Sequence, residues 1–343
     1  MENMMPIYVS APRAVRRFAL QSLPRTAFST LLVLAGLKKS RSSKKVALTF
    51  SISEDYARLW HYFAHKNLPQ SEWDIVIVDC AGSMNPQYFE DAEIIKFANR
   101  AHGKKIDTFL YKYLKSSIVF LCDDDKYIIS DVSPAVHELE KPKIAAVSLS
   151  PRDWSTFKVG GVEHSLMGTY SLLMKRDVIV NNSLSFQSVK RDFKNRIVQE
   201  GAKKPFGYDT ADFANERLIE MGYEIITDKY HDTVLGFDGL STPRILLMSY
   251  GKQYVLNALA QVNHYKRGSL NGVMARVLFG VVQFEILFRH IFKTDPAFSS
   301  RLTKQELVNA IEGNSKTSEM EKQDVLSDYS TIEEICRQLI TMT

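Results

Sequence analysis

Residues 116–130 read SSIVFLCDDDKYIIS, and the step from an apolar run to three consecutive carboxylates, Asp123, Asp124 and Asp125, decides the fold. Ser117–Cys122 reads as a short, fully buried strand of the kind found in parallel sheets. The acids then fall at its carboxyl end, the edge where open α/β sheets bind ligands. Three adjacent carboxylates repel one another, and beside a buried strand they are costly unless a cation or a strong donor set neutralises them. The competing reading is a solvated acidic turn between two strands. Hard oxygen ligands with no His or Cys cluster beside them in the sequence suit Mg2+ or Mn2+ better than zinc.

Strand and helix patterns alternate on both sides of this stretch. Upstream, VALTFSI predicts a first strand and DYARLWHYFAHKNL a first helix whose apolar face carries Tyr56, Leu59, Tyr62 and Phe63. WDIVIVDCAG predicts a second strand ending in Asp79, and PQYFEDAEIIKFANRAHG a helix stopping near Gly103. Downstream, SPAVHELEK predicts a short helix and KIAAVSLSP a strand. Residues 152–165, with Gly160 and Gly161 adjacent, read as a substrate-facing loop. MGTYSLLMKRDVI then predicts a strand running into a turn, and TADFANERLIEMGYEI a helix, a stop and a final strand. Such alternation marks a mostly parallel sheet with crossover helices.

Composition and charge narrow the function classes. The chain has 343 residues, 45% of them hydrophobic, enough for a sizeable core. Cys80, Cys122 and Cys336 lie far apart with no paired spacing, which argues against a disulfide framework or a zinc knuckle and favours a reducing, cytoplasmic location. The net charge of +5 is uneven: residues 1–45 carry nine Lys or Arg against Glu2 alone, so the remaining residues sum to −3. A body of that sign argues against a nucleic-acid partner. The basic stretch flanks the apolar run Ala27–Leu37, too short to span a bilayer. It reads either as an interfacial segment on an anionic membrane surface, making the protein peripheral on a cytoplasmic face, or as a terminal helix packed on the body. Residues 268–292 are strongly apolar but interrupted by Arg276, Glu285 and Arg289, which predicts a core or interfacial helix. GNSKTSE near the carboxyl end leans towards disorder, with a terminal helix after it.

In order and spacing, four of these segments resemble a GT-A glycosyltransferase that uses a nucleotide-sugar donor, over about residues 45–239. IVIVDCAG (75–82) is similar to the family's second strand, whose terminal Asp contacts the nucleoside. FLCDDDKYI (120–128) resembles the metal-binding DXD motif, and GTYSLLMKRDVI (168–179) the strand and turn that shape the pocket. GYDTADFANERLIEMGYEI (207–225) resembles the acidic segment and helix that supply the base in inverting members. The resemblance spans a family-two-like and an exostosin-like pattern. Cys122 stands where the commonest family-two pattern has its first acid, which leaves open which two of Asp123, Asp124 and Asp125 form the pair.

The resemblance implies a GT-A catalytic domain over residues 45–240, preceded by a basic arm (1–44) and followed by a helical extension (241–343). It implies an α/β fold with a mostly parallel sheet and flanking helices, a Mn2+ or Mg2+ cofactor, and a carbohydrate or lipid-linked acceptor. Transfer would be inverting. Asp125 is assigned as direct metal ligand, with Asp123 nearer the ribose or a metal water; Asp123, Asp124 and Asp79 fall to the nucleotide sugar. Asp212 is the first candidate for the base and Asp209 the second, helix capping being the rival role for both. His231 would complete the metal shell, its rival role a structural hydrogen bond. Trp154 and His164 precede the pocket strand and are placed to meet a sugar, packing being the stronger role for Trp154. Two other readings compete: a non-catalytic binding or scaffold protein on a degenerate fold, and a sugar-1-phosphate nucleotidyltransferase. The latter wants a Gly-rich basic loop after the first strand, where this chain has TFSISEDYAR.

Overall fold

The structure, a computed structural model, describes residues 7–188, 196–198, 210–266 and 269–343. In chain order its elements begin with α1 (Ile7–Leu34), β1 (Lys45–Ser51), α2 (Glu54–Asn67), β2 (Trp73–Asp79), β3 (Ala92–Lys96), α3 (His102–Thr108) and β4 (Ile118–Cys122). There follow β5 (Lys126–Ile128), α4 (Ser133–Glu140), β6 (Ile144–Ser148), β7 (Pro151–Val159), β8 (Val162–Met167), β9 (Ser171–Lys175), α5 (Arg176–Asn181) and β10 (Arg196–Val198). After α6 (Asp212–Glu220), β11 (Glu224–Ile226) and β12 (Val234–Gly236) the chain is helical: α7 (Ser241–Tyr250), α8 (Lys252–Leu259), α9 (Leu270–Phe292), α10 (Lys304–Glu312) and α11 (Glu319–Thr341). It divides into two compact units, one of Ser22–Val234 and one combining residues up to Gln21 with Leu235–Thr343.

The first unit is built on a seven-stranded sheet in the order β11-β6-β9-β4-β1-β2-β3. Only β9 runs antiparallel to its neighbours, β4 and β6; every other pairing is parallel. The central strands are apolar on both faces because helices cover both: in β1 all residues after Lys45 are buried, and in β4 Val119–Cys122 are. The side chain of Ser53 accepts the Tyr56 amide to start α2, which buries Tyr56, Leu59, Trp60 and Phe63 in the core. Tyr62, expected on that face, is only half-buried. This mostly parallel sheet with flanking helices, followed by a helical carboxyl region, is the architecture that the GT-A resemblance implies.

Three local expectations are corrected. The helix expected over 86–103 is instead a short turn and the edge strand β3, in register with β2 from Ile75↔Ala92 to Asp79↔Lys96. Pairing to a parallel neighbour overrides the helical pattern of EDAEIIKF, as tertiary context commonly does. Gly103 therefore opens a helix rather than ending one. A Cβ there would lie 2.2 Å from the Phe186 carbonyl oxygen, so the glycine lets α3 approach the 184–188 segment. The loop expected over 152–165 is the hairpin β7–β8, turning at Gly160 and Gly161, both at positive φ, as a Gly-Gly turn between strands demands. GNSKTSE is ordered. Asn314 is fully buried and its amide donates to the carbonyls of Leu259 and Val262 and to the Tyr265 hydroxyl at 3.1, 2.9 and 3.2 Å.

In the second unit α9 is the core helix. Of the described helices it alone is long and apolar enough to cross a membrane, yet its most apolar window is 72% buried against protein. Its charged interruptions are tied to neighbours: Arg276 binds Asp324 and Asp328 of α11, and Glu285 accepts from Arg289, Ser299 and the Ser300 amide. A buried charge so paired is tolerated where an unpaired one would not be.

Replacing Gly103 with Ala should lower unfolding free energy by about 1–3 kcal/mol, the usual cost of overpacking against an atom that cannot move aside. Urea unfolding of Gly103→Ala checks it; a midpoint equal to wild type would show that the 184–188 segment yields freely.

Candidate functional site

The parallel strands β1, β2 and β4 end together, with Ser51 paired to Asp79 across β1 and β2. Their following loops form one edge. Asp79 is fully buried; its Oδ1 accepts the amides of Ala81 and Gly82 at 3.0 and 2.6 Å, and its Oδ2 that of Met84 at 3.0 Å. Asp79 is thus committed to shaping the loop after β2, the Asx-turn role, and the Asn85 amide ties the same loop to Glu54 at the start of α2.

After β4 the chain turns sharply through Asp123–Lys126, closed by the Lys126 amide on the Asp123 carbonyl at 3.1 Å. The three carboxylates differ in exposure. Asp124 and Asp125 are buried, while a third of the Asp123 side chain meets solvent. The Asp123 amide donates to the Tyr170 carbonyl at 2.8 Å, which anchors the turn to the segment joining β8 and β9. That segment also holds α6. Asn215 accepts the Met167 amide at 2.9 Å and donates to the Met167 and Ala211 carbonyls, each at 3.1 Å. Residues 167–170 therefore link the acidic turn on one side to the first turn of α6 on the other. At Gly168 a Cβ would stand 2.7 Å from the Tyr170 ring, which would have to shift.

Asp212 is the first residue of α6 and is fully buried. The N-cap is Ala211, at φ 72, a left-handed conformation costly for a residue with a Cβ. Such an outlier beside a candidate base fits the pattern of strain stored at functional sites. Asp209 lies outside the described residues. His231 is exposed and its Nε2 is 2.7 Å from the Thr227 carbonyl; the turn it begins joins the chain just past β5, where the Ile129 amide donates to Thr233. Trp154 lies in β7, its side chain outside those described, and His164 is half-buried in β8.

Two residues that sequence reading passed over stand at the same edge. His102 and Lys105 lie on α3, which the wrong helix over 86–103 had concealed. Lys105 is buried, with Nζ 3.5 Å from the Asn99 side-chain oxygen, 3.7 Å from Cys80 Sγ and 5.1 Å from the centre of the Phe50 ring. The pKa of the buried Cys80 thiol is raised by burial first, opposed by the charge of Lys105, and raised further by Asp79 and Asp124. Lys105, Asp79 and Asp124 therefore share the surroundings of Cys80. His102 Nε2 is 3.9 Å from Asp123 Oδ1. Burial, then the charge of Lys105, lowers the His102 pKa to about 3, so its ring is neutral at physiological pH. The signal in the sequence was the basic run HGKK following an edge strand.

No protein-family model matches the chain, and no curated protein sequence does. Among solved structures the chain is similar to the mannosyltransferase PcManGT from Pyrobaculum calidifontis in complex with GDP-Man and Mn2+, at 13% identity over 97% of each chain with a TM-score of 0.40. It is also similar to S. aureus TarS 1-349, at 12% identity over 86% of this chain and 91% of that one, TM-score 0.37. The glycosyltransferase GlyE of Streptococcus pneumoniae matches 88% of this chain and 64% of its own at 11% identity and a TM-score of 0.28. At such distances the strand order and the site geometry, not these likenesses, carry the functional reading.

His102 should leave a trace in pH-dependent stability. Its folded pKa of about 3 lies below the ordinary 6.5, so between those values the unfolded chain binds more protons. Its contribution is full above the upper value and is lost as pH falls towards the lower. Urea midpoints of His102→Gln should therefore fall less steeply over that window than those of wild type, and parallel slopes would count against a neutral His102.

Proposed function

We propose that the chain is a glycosyltransferase that transfers a sugar from a nucleoside-diphosphate sugar to a hydroxyl of a carbohydrate or lipid-linked acceptor. The observation carrying this reading is the acidic turn Asp123–Asp125, seated at the carboxyl edge of a mostly parallel sheet and tied through residues 167–170 to the first turn of α6. Open α/β sheets bind ligands at that edge.

The donor set fits a divalent ion brought in with its substrate. Among the described residues no group of three or more His, Cys, Asp or Glu forms a cage of its own. Mg2+ commonly uses one or two carboxylates and takes its other ligands from phosphate and water, and the hard oxygens here suit Mg2+ or Mn2+. When bound, such an ion offsets the negative charge that grows on the departing diphosphate. Asp125 would hold it, with Asp123, the more exposed acid, on the ribose or on an ion-bound water; His231 is the remaining candidate ligand. Asp124 and Asp79 keep the turn and the loop in shape around the nucleotide. Lys105 supplies a preorganised positive charge at the same edge, useful where charge develops in the transition state.

Inversion requires the acceptor oxygen to attack the anomeric carbon from the face opposite the diphosphate. As the new carbon–oxygen bond forms, the bond to the phosphate oxygen breaks and its electron pair leaves with the nucleoside diphosphate. The Asp212 carboxylate takes the proton of the acceptor hydroxyl, with Asp209 as the alternative. Asp212 is the first residue of α6 and follows the N-cap, Ala211.

Release of sugar from UDP-, GDP-, dTDP- and CMP-sugars with and without Mn2+ tests the activity without knowledge of the acceptor. One of the three nucleoside-diphosphate sugars should be hydrolysed in a metal-dependent manner; turnover of the CMP-sugar alone, or of none, would contradict the proposal. With the acceptor in hand, Asp212→Asn should lower turnover about 10² to 10⁴-fold while hardly changing donor affinity, the pattern of a lost general base. If the loss appears instead in Asp209→Asn, the base is misplaced. If neither substitution matters while Asp125→Asn abolishes transfer, a retaining reaction replaces the inverting one.

A further inference from the structure

The part of α1 within the first unit, Ser22–Leu34, has its polarity reversed for a helix packed on a soluble protein. The face turned to the body carries Ser22, Thr26, Thr30 and Val33, all buried. Its threonine hydroxyls are satisfied locally: Thr26 donates to the Ser22 carbonyl at 3.1 Å and Thr30 to that of Thr26 at 2.8 Å, while Thr30 Oγ1 accepts the Ala98 amide at 2.8 Å. The opposite face is apolar and in solvent. Leu23 is 45% exposed, Phe28 76% and Leu31 64%, with Leu34 on the same side and Leu37, just past the helix end, 77% exposed. With about 3.6 residues per turn these side chains form one stripe. A surface helix normally turns such a stripe inward.

The charges that the segment itself carries all have one sign, although Asp74, Asp91 and Glu93 line one cavity with Leu37, Lys38, Lys39 and Arg41. Arg25, Lys39 and Arg41 are exposed, Lys38 is half-exposed, and residues 3–45 contain no acid. Among the described residues no ion pair engages Arg25, Lys38, Lys39 or Arg41. We propose that this face of α1 docks on an anionic lipid surface, with Leu23, Phe28, Leu31 and Leu37 entering the acyl boundary and Arg25, Lys38, Lys39 and Arg41 meeting headgroup phosphates. The pairing of an apolar stripe with cations on its own helix and just past its end is what an interfacial helix needs: apolar burial for strength and cations for anionic headgroups. A second copy of this chain is the weaker occupant, because an isologous contact sets each cationic flank near its own copy. The proposal goes beyond the transferase reading and is independent of it.

Sedimentation of the full chain with phosphatidylcholine vesicles, with and without phosphatidylglycerol, tests it, with size-exclusion chromatography alongside. Wild type should bind the phosphatidylglycerol vesicles much more strongly than the neutral ones. Phe28→Ser with Leu31→Ser should reduce that binding by roughly tenfold or more, since two large apolar side chains leave the bilayer. Arg25→Gln with Lys39→Gln should weaken binding to the anionic vesicles and flatten its salt dependence. Both double variants replace exposed side chains, so melting temperatures should stay at the wild-type value, separating lost docking from lost folding. Wild type that ignores phosphatidylglycerol overturns the proposal. So does a wild-type dimer that the Phe28→Ser, Leu31→Ser variant converts to monomer while vesicle binding persists, which would give the stripe to a second copy.

Discussion

Negative charge crowded at the end of a buried strand is the constraint on which the rest of the first unit depends. The sheet brings Asp79 and the triplet Asp123–Asp125 to one edge, because β1, β2 and β4 are parallel and end together. The molecule manages each acid differently. Asp79 spends its charge on three backbone amides of its own loop. Asp124 shares its surroundings with the buried ammonium of Lys105, and Asp123 stays partly in solvent beside a neutral His102. An edge that gathers several carboxylates is one that a hydrated divalent ion can enter together with a diphosphate.

The fold was legible where period and burial agreed. Strands buried on both faces, such as VALTFS and IVFLC, admit no amphipathic helix, and Ser53 marks the start of α2. The reading failed where a local pattern served two structures. AEIIK has the spacing of a half-buried helix but lies on an edge strand, and only its pairing with β2 decides between them. GNSKTSE is polar enough for disorder, yet the side chain of Asn314 finds three buried partners that composition does not reveal. The site showed the same division. Its acids announced themselves by sequence, whereas His102 and Lys105 became visible only once α3 was separated from the strand before it. Asp209 lies outside the described residues.

The basic amino-terminal stretch was open to two readings, an interfacial segment or a helix packed on the body. Both describe α1. Its Ser/Thr face is fastened to the sheet edge through Thr30 and Ala98, and its Leu/Phe face is left to solvent. Small hydroxylated residues suit the inner face because they allow close approach and satisfy their own hydrogen bonds along the helix, which frees the large apolar residues for another surface.

Calorimetric titration of UDP, GDP and dTDP into wild type and Asp125→Asn, with and without Mn2+, tests most directly whether the acidic edge is a donor site. One nucleoside diphosphate should bind wild type in a Mn2+-dependent way, and Asp125→Asn should abolish most of that dependence while its metal-free melting temperature stays near the wild-type value. Metal-dependent affinity that survives Asp125→Asn unchanged, or no binding of any of the three, would contradict the account.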